Sequence, residues 1–271
     1  MRFSILLISS LLGLFPAFVQ AHELWVAPTQ YQVARGEKIV ADLRNGQDFR
    51  GVKLPYLAMK IERFDLTNGV DAAEIVMRNG DIPALVVPAL GEGLNILAYQ
   101  SNLSKVSYQT WGKFDEFVTH KDLGVTLADH LAKAFPVENF SEVYRRYSKS
   151  LIGVGNAKGM DTQLGMFAEF VALTNPYIAP PDQGFALQLN FGGQPSAFKQ
   201  VEVFDKAQDG VVAISIVKTD ALGRAIIPVQ AGHEYMLDAV YLRSPEQALG
   251  EKWGAIYESL WANLTFYVPH P

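Results

Sequence analysis

Cysteine is absent from this chain of 271 residues. That single absence excludes disulfides, thiolate zinc sites, iron–sulfur clusters and cysteine nucleophiles. Charge is also sparse, at 19% of residues, against the ~25% usual for a globular chain. It carries no basic excess: 23 Lys and Arg stand against 28 Asp and Glu, a formal −5. A nucleic-acid partner is therefore not expected, because such proteins carry a basic face and a high pI. No Gly-x-Ser-x-Gly elbow and no Walker loop occurs, and no pair of acids has a spacing that marks a glycosidase. At 49% hydrophobic residues the chain is far too apolar to be disordered.

The start of the chain reads as an address. Arg2 is followed by the apolar runs Ile5-Leu6-Leu7-Ile8 and Leu11-Leu12-Gly13-Leu14-Phe15, and Val19-Gln20-Ala21 approaches the small-x-small cleavage rule. In length and order, residues 1–21 form a secretory signal peptide with Ala21 as the last residue removed. The apolar core is shorter than the ~20 residues that span a bilayer. No later apolar run is long enough either, so a soluble periplasmic or secreted mature protein is expected. Cleavage after Ala21 leaves His22-Glu23-Leu24-Trp25 at the new terminus. An N-terminal histidine joins an α-amine (pKa ~8) to an imidazole (pKa ~6.5) on one residue. Together they chelate one metal ion, with a third ligand supplied from elsewhere; imidazole suits Cu, Ni, Co and Zn.

The mature chain reads as β, then helical, then β. From 24 to about 103, short apolar runs are separated by the hairpin dipeptides Asn45-Gly46, Asn68-Gly69 and Asn79-Gly80. Lys60 through Leu66 alternates as a half-buried strand does. An Ig-like sandwich over 22–105 is the expected class. Between 106 and 183 a helical segment and linker are expected. Phe114, Phe117, Leu123, Leu127, Leu131 and Phe135 recur at roughly helical spacing up to Pro136. Phe140, Tyr144, Tyr147 and Leu151 fall at i, i+4, i+7 and i+11, which predicts a second helix. Its off-face Arg145, Arg146 and Lys149 form a small basic cluster that could hold an anion but reads first as a solvated helix face. Phe167 to Leu173 suits an edge strand. From 184 to 271 alternating runs return, predicting a second, C-terminal sandwich.

The other histidines are His120, His130, His233 and His270, and none makes a His-Glu-x-x-His or His-x-His pattern. His120 and His130 are ten apart on the predicted helix, too far for one metal unless the helix breaks at Gly124. Trp253, Tyr257 and Trp261 suit either a sugar platform or core packing.

Several segments together resemble one family, the domain of unknown function 4198 family of secreted bacterial proteins. They are Ala21 to Pro28, Ile61-Glu62-Arg63-Phe64, Tyr144 to Leu151, Thr219 to Arg224 and Tyr257 to Phe266. The resemblance implies a periplasmic component of nickel or cobalt uptake, mostly β, with Ig-like or prealbumin-like sandwiches and a helical insertion between them. It implies a metal role for the mature start, here His22 and Glu23. Where many relatives carry Ala-Val-His before the last strand, this chain has Ala239-Val240-Tyr241, and a tyrosine (pKa ~10) is a poorer ligand. Glu258 in the ending motif is a further oxygen donor. The expectation is a metal-binding protein rather than an enzyme, with ligands among His22, Glu23, Tyr241 and Glu258. Its cargo would be Ni²⁺ or Co²⁺, with Cu²⁺ also accepted, and its partner a membrane transporter or receptor. Two rivals stand beside it: a secreted Ig-like module for protein or glycan, and a copper site built on the N-terminal histidine.

Overall fold

A computed structural model describes residues 22–270; the proposed signal segment lies outside the described residues. In chain order the strands are β1 (Glu23–Pro28), β2 (Gln32–Val33), β3 (Lys38–Gln47), β4 (Arg50–Leu54), β5 (Ile61–Thr67), β6 (Ala72–Glu74), β7 (Leu85–Pro88), β8 (Gly93–Ser101) and β9 (Ser104–Thr110). Helices α1 (Trp111–His120) and α2 (Leu127–Ala132) follow, then β10 (Glu138–Val154), β11 (Ala168–Ala172), β12 (Phe185–Phe191) and β13 (Gln194–Pro195). The chain continues through β14 (Gln200–Lys206), β15 (Val212–Lys218), β16 (Arg224–Ile227), β17 (Glu234–Arg243), helix α3 (Gln247–Trp253) and β18 (Tyr257–Tyr267).

These strands make three layers. The middle layer is one sheet in the order β15-β14-β17-β18-β10-β8-β5-β6, with β2 and β9 also paired to β10. One face is covered by a small sheet of β1, β3, β4 and β7, and the other by a small sheet of β11, β12, β13 and β16. The architecture is mostly β and sandwich-like, as expected, with a short helical insertion. The two sandwiches share their middle sheet. The expected boundary at 105–106 falls inside β9, and the one at 183–184 just ahead of β12.

The strand that joins the halves is β10. It pairs with β9 and β8 along one edge and with β18, in parallel, along the other. This corrects the helix expected over Phe140–Leu151. In a strand, alternate side chains face opposite ways, so Phe140 and Tyr144 share one face while Tyr147 and Leu151 share the other. Both faces of β10 are covered, so its sequence shows no simple alternation, and the helical spacing of its apolar residues is a coincidence. Arg146 and Lys149 are consequently buried rather than solvated. Lys149 lies against Asp161 at 2.6 Å and Glu169 at 3.2 Å, on the face toward the β11–β12 sheet. The first expected helix is present as two short ones, α1 and α2. They part near Gly124, which has φ +70°, and α2 opens with a capping box between Thr126 and Asp129.

β1 sets the position of everything near the proposed mature start. One of its edges pairs with β3. Its other edge is laid against the face of the middle sheet, where Val26 finds side-chain partners in place of a strand. The Val26 N–H donates to Ser148 Oγ at 3.1 Å, and Thr265 Oγ1 donates to the Val26 carbonyl at 2.8 Å. Both hydroxyl residues are fully buried. A buried backbone group without a partner costs about 1–3 kcal/mol. Thr265→Val keeps the shape and removes the donor, so it is expected to lower stability by about that amount. The check is a shift of the urea midpoint at unchanged m-value; no shift would mean the edge is satisfied otherwise.

Candidate functional site

Two charged arrangements lie side by side on the middle-sheet face that β1 and α1 cover. The first is a cage of carboxylates. Glu23 comes from β1, Glu202 from β14 and Asp238 from β17, and one oxygen from each lies within 4.8 Å of the others. Glu202 and Asp238 each interrupt an apolar strand run, Glu23 stands at the head of one, and all three are buried. Lys121, on the residue that ends α1, puts its Nζ among them. It lies 3.0 Å from Glu23 and 2.9 Å from Asp238 and donates to Glu202 as well. His120 Nε2 meets the other oxygen of Glu202 at 2.8 Å from the solvent side.

The protonation states follow from this geometry. Burial works against the charge of Lys121, but the three carboxylates outweigh it and hold the ammonium well above its usual range. Burial pushes Asp238 upward, and Lys121 offsets that only in part. Burial also raises Glu202, but bonds from His120 and Lys121 overcome it and leave the carboxyl below its usual value. The bond to Glu202 in turn raises His120. An all-oxygen cage would suit a hard cation better than nickel or cobalt. Here Lys121 already supplies the cation, so the arrangement is an internal ion cluster. Lys121→Met leaves three buried acids without it, and such a loss costs about 3–5 kcal/mol. The loss is expected to be largest near pH 7.5 and to shrink toward pH 4.5 as the acids take up protons. Thermal or urea unfolding at the two pH values measures it, and a pH-independent loss would contradict the charge account.

The second arrangement is a cavity of about 360 Å³ between the β1–β3–β4 sheet and the middle sheet. Its walls are mostly apolar, including Leu24, Leu43, Leu57, Ile61, Tyr99 and Val106. Its charged lining is Lys60, Glu142 and Arg146, and His22 stands at its edge. Trp261 lies between the two arrangements. Its ring is 5.0 Å from Lys121 Nζ and 5.6 Å from the Arg146 guanidinium, and it stacks on Phe117 at 5.6 Å. Tyr144 holds the guanidinium as well, at 4.4 Å. Arg146 Nη2 donates to the His22 carbonyl at 2.6 Å. Glu142 accepts from Tyr108 Oη at 2.9 Å and from the Ser259 hydroxyl, which in turn accepts from Trp261 Nε1 at 2.9 Å.

Burial pushes the Glu142 carboxyl up to about 7, with the two hydroxyls and Arg146 pulling back. Its unfolded value is near 4.3. The folded state therefore holds the proton more tightly between those values, and stability falls as pH rises through that window. The full effect is up to about 4 kcal/mol at 1.36 kcal/mol per unit. Glu142→Gln removes the titration, so its stability is expected to exceed the wild type at pH 8 and to match it more closely near pH 4. Parallel stability curves for the two proteins across pH 4–8 would refute this.

The residues expected to share one metal site are not together. His22 lines the cavity, while the Glu23 side chain turns to Lys121. Tyr241 is on the opposite face of the middle sheet, stacked on Phe191 at 5.0 Å. Glu258 is on that face too, paired with Arg243 Nε at 2.6 Å. His120 and His130 are also apart in role. His130 is buried between Tyr257 Oη and the Pro136 carbonyl, both at 2.9 Å. Tyr257 and Trp261 are buried and Trp253 is half-buried, so they form no open sugar platform. Arg146 was marked from sequence only within a basic cluster able to hold an anion, and Lys121, Glu142, Glu202 and Asp238 were not singled out as a site. The available signal was a lone charge inside an apolar strand run, as at Val201-Glu202-Val203 and Leu237-Asp238-Ala239.

The family model described as Domain of unknown function (DUF4198) matches residues 19–243. Among solved structures, the D0-D1 domain of Intimin is similar at 11% identity and a TM-score of 0.21, over 90% of this chain and 97% of that one. No curated protein matches the chain.

Proposed function

The chain belongs to the domain of unknown function 4198 family, and we propose that it is a secreted, periplasmic binding protein whose cargo is a divalent transition metal, Ni²⁺ or Co²⁺. It makes and breaks no bond; it captures the ion and passes it to a membrane transporter or receptor. The observation that carries this reading is the place of His22, at the edge of the cavity and at the start of a strand fixed on both edges. In a chain processed after Ala21, the α-amine and imidazole of His22 both belong to that residue. Arg146 holds the His22 carbonyl, which steadies the backbone of the chelate.

Glu23 serves Lys121, and Tyr241 and Glu258 are on the far face, so the remaining coordination positions go to water or to ligands brought by the cargo. The copper rival calls for a second imidazole close to the first. Among the described residues that line the cavity, His22 is the one imidazole. Cu²⁺ would still bind more tightly in vitro, by the Irving–Williams order, so affinity alone does not name the ion.

Calorimetric titration of the processed protein with Ni²⁺, beside a form with one alanine added before His22, tests the reading. The addition turns the α-amine into an amide and leaves every side chain in place. Micromolar or tighter binding that weakens at least tenfold in the extended form is expected. Equal binding by both forms would remove the N-terminal chelate, and binding by neither would remove the metal.

A further inference from the structure

A guanidinium taken out of water calls for an anion, because an uncompensated buried charge is costly. Arg146 is 91% buried, taking its 9% exposure from unity, and its side chain is not matched by one. Its guanidinium donates to the neutral His22 carbonyl, and its Nε has no partner. The acid sharing the cavity, Glu142, is already bonded at both oxygens by hydroxyls, and burial favours its neutral form. The rings of Tyr144 and Trp261 hold the guanidinium in place, so its position is prepared before any ligand arrives. Lys60 adds a second positive group to the lining. The remaining walls are mostly apolar, with Asn45, Ser101 and Ser104 among them, and the volume of about 360 Å³ lies in the range of small-molecule sites.

We propose that this cavity binds a small amphipathic organic anion, its carboxylate paired with Arg146 and its hydrocarbon body lying among Leu24, Leu57, Tyr99 and Val106. The anion supplies the charge that Arg146 lacks, and the hydrocarbon fills space that side chains leave open. The inference shares the cavity with the metal reading but needs no metal. A cation chelated at His22 would add positive charge nearby and strengthen the pairing.

The test uses the full processed chain, in EDTA at pH 6.0, where Glu142 is mostly neutral and octanoate is ionised, titrated calorimetrically with three probes of equal chain length: octanoate, octanol and octylammonium. Octanoate is expected to bind at least tenfold more tightly than octylammonium, with octanol between them. Arg146→Met is expected to cost octanoate at least tenfold and to leave octanol nearly unchanged. Leu57→Trp, at a partly exposed position on the wall, fills the cavity and is expected to abolish binding of all three. Equal binding of the two charged probes, or an Arg146→Met protein that keeps the preference, would overturn the assignment, as would failure of all three to bind. If Arg146→Met does not fold, the comparison of probe charge and the Leu57→Trp variant still decide the matter. Because metal is excluded throughout, failure here leaves the Ni²⁺ titration to be judged by itself.

Discussion

A strand laid edge-on against the face of a sheet creates a demand that ordinary strand pairing does not. Its free backbone groups point into the core of the sandwich, where no water can serve them. In this protein β1 is that strand, and the middle sheet meets the demand with hydroxyls. Ser148 and Thr265 bind the two backbone groups of Val26, and Ser150 and Asn263 support them. The sheet face beneath β1 is therefore polar in a place that packing alone would make apolar. Once hydroxyls and amides line that face, charges can be held beside them. Glu142 and Arg146 on β10, and Asp238 on β17, occupy the ground on either side of the β1 edge.

Part of the fold was legible where a strand keeps one face more exposed than the other, as β5 and β12 do. β5, with its alternation from Ile61 to Thr67, shows its strand nature directly, and Asn68-Gly69 and Asn79-Gly80 fall in turns, whereas Asn45-Gly46 is paired within the β3–β4 hairpin whose turn is Asp48-Phe49. β10 was illegible for a physical reason. It is covered on both sides and pairs on both edges, and it carries Arg146, Ser148, Lys149 and Ser150 into the interior to satisfy other groups. Its composition reflects those partners rather than a face in water. Local periodicity reports solvent exposure, and where no face is solvent-exposed it reports nothing reliable about period.

The site was legible in part, for a related reason. His22 stood out because cleavage after Ala21, as proposed, would give a terminal histidine special chemistry, and the structure places it in the lining of a cavity. Glu23 stood out with it, yet successive strand residues point to opposite sides, which sends Glu23 to Lys121 instead. Tyr241 and Glu258 are divided from His22 by the thickness of the sheet. Sequence can show that a residue type is capable of ligation. Which face of a twisted, shared sheet a residue takes depends on register across strands far apart in the chain, such as Val240 against Trp261.

The two charged arrangements flanking Trp261 solve opposite problems. Around Lys121, three acids enclose one cation, so negative charge is in excess and the balance is restored by proton uptake at Asp238 and by His120. Around Arg146 the cation is in excess, and its neighbour Glu142 tends toward the neutral form. The cage closes upon itself, because its cation is tethered by the chain and bonded to all three acids. The cavity does not close, because its cation faces apolar open space. A group from outside can improve the second arrangement and has little to offer the first. The proposed binding function therefore belongs with Arg146 and His22, and the acidic cage beside them anchors the strand that follows His22.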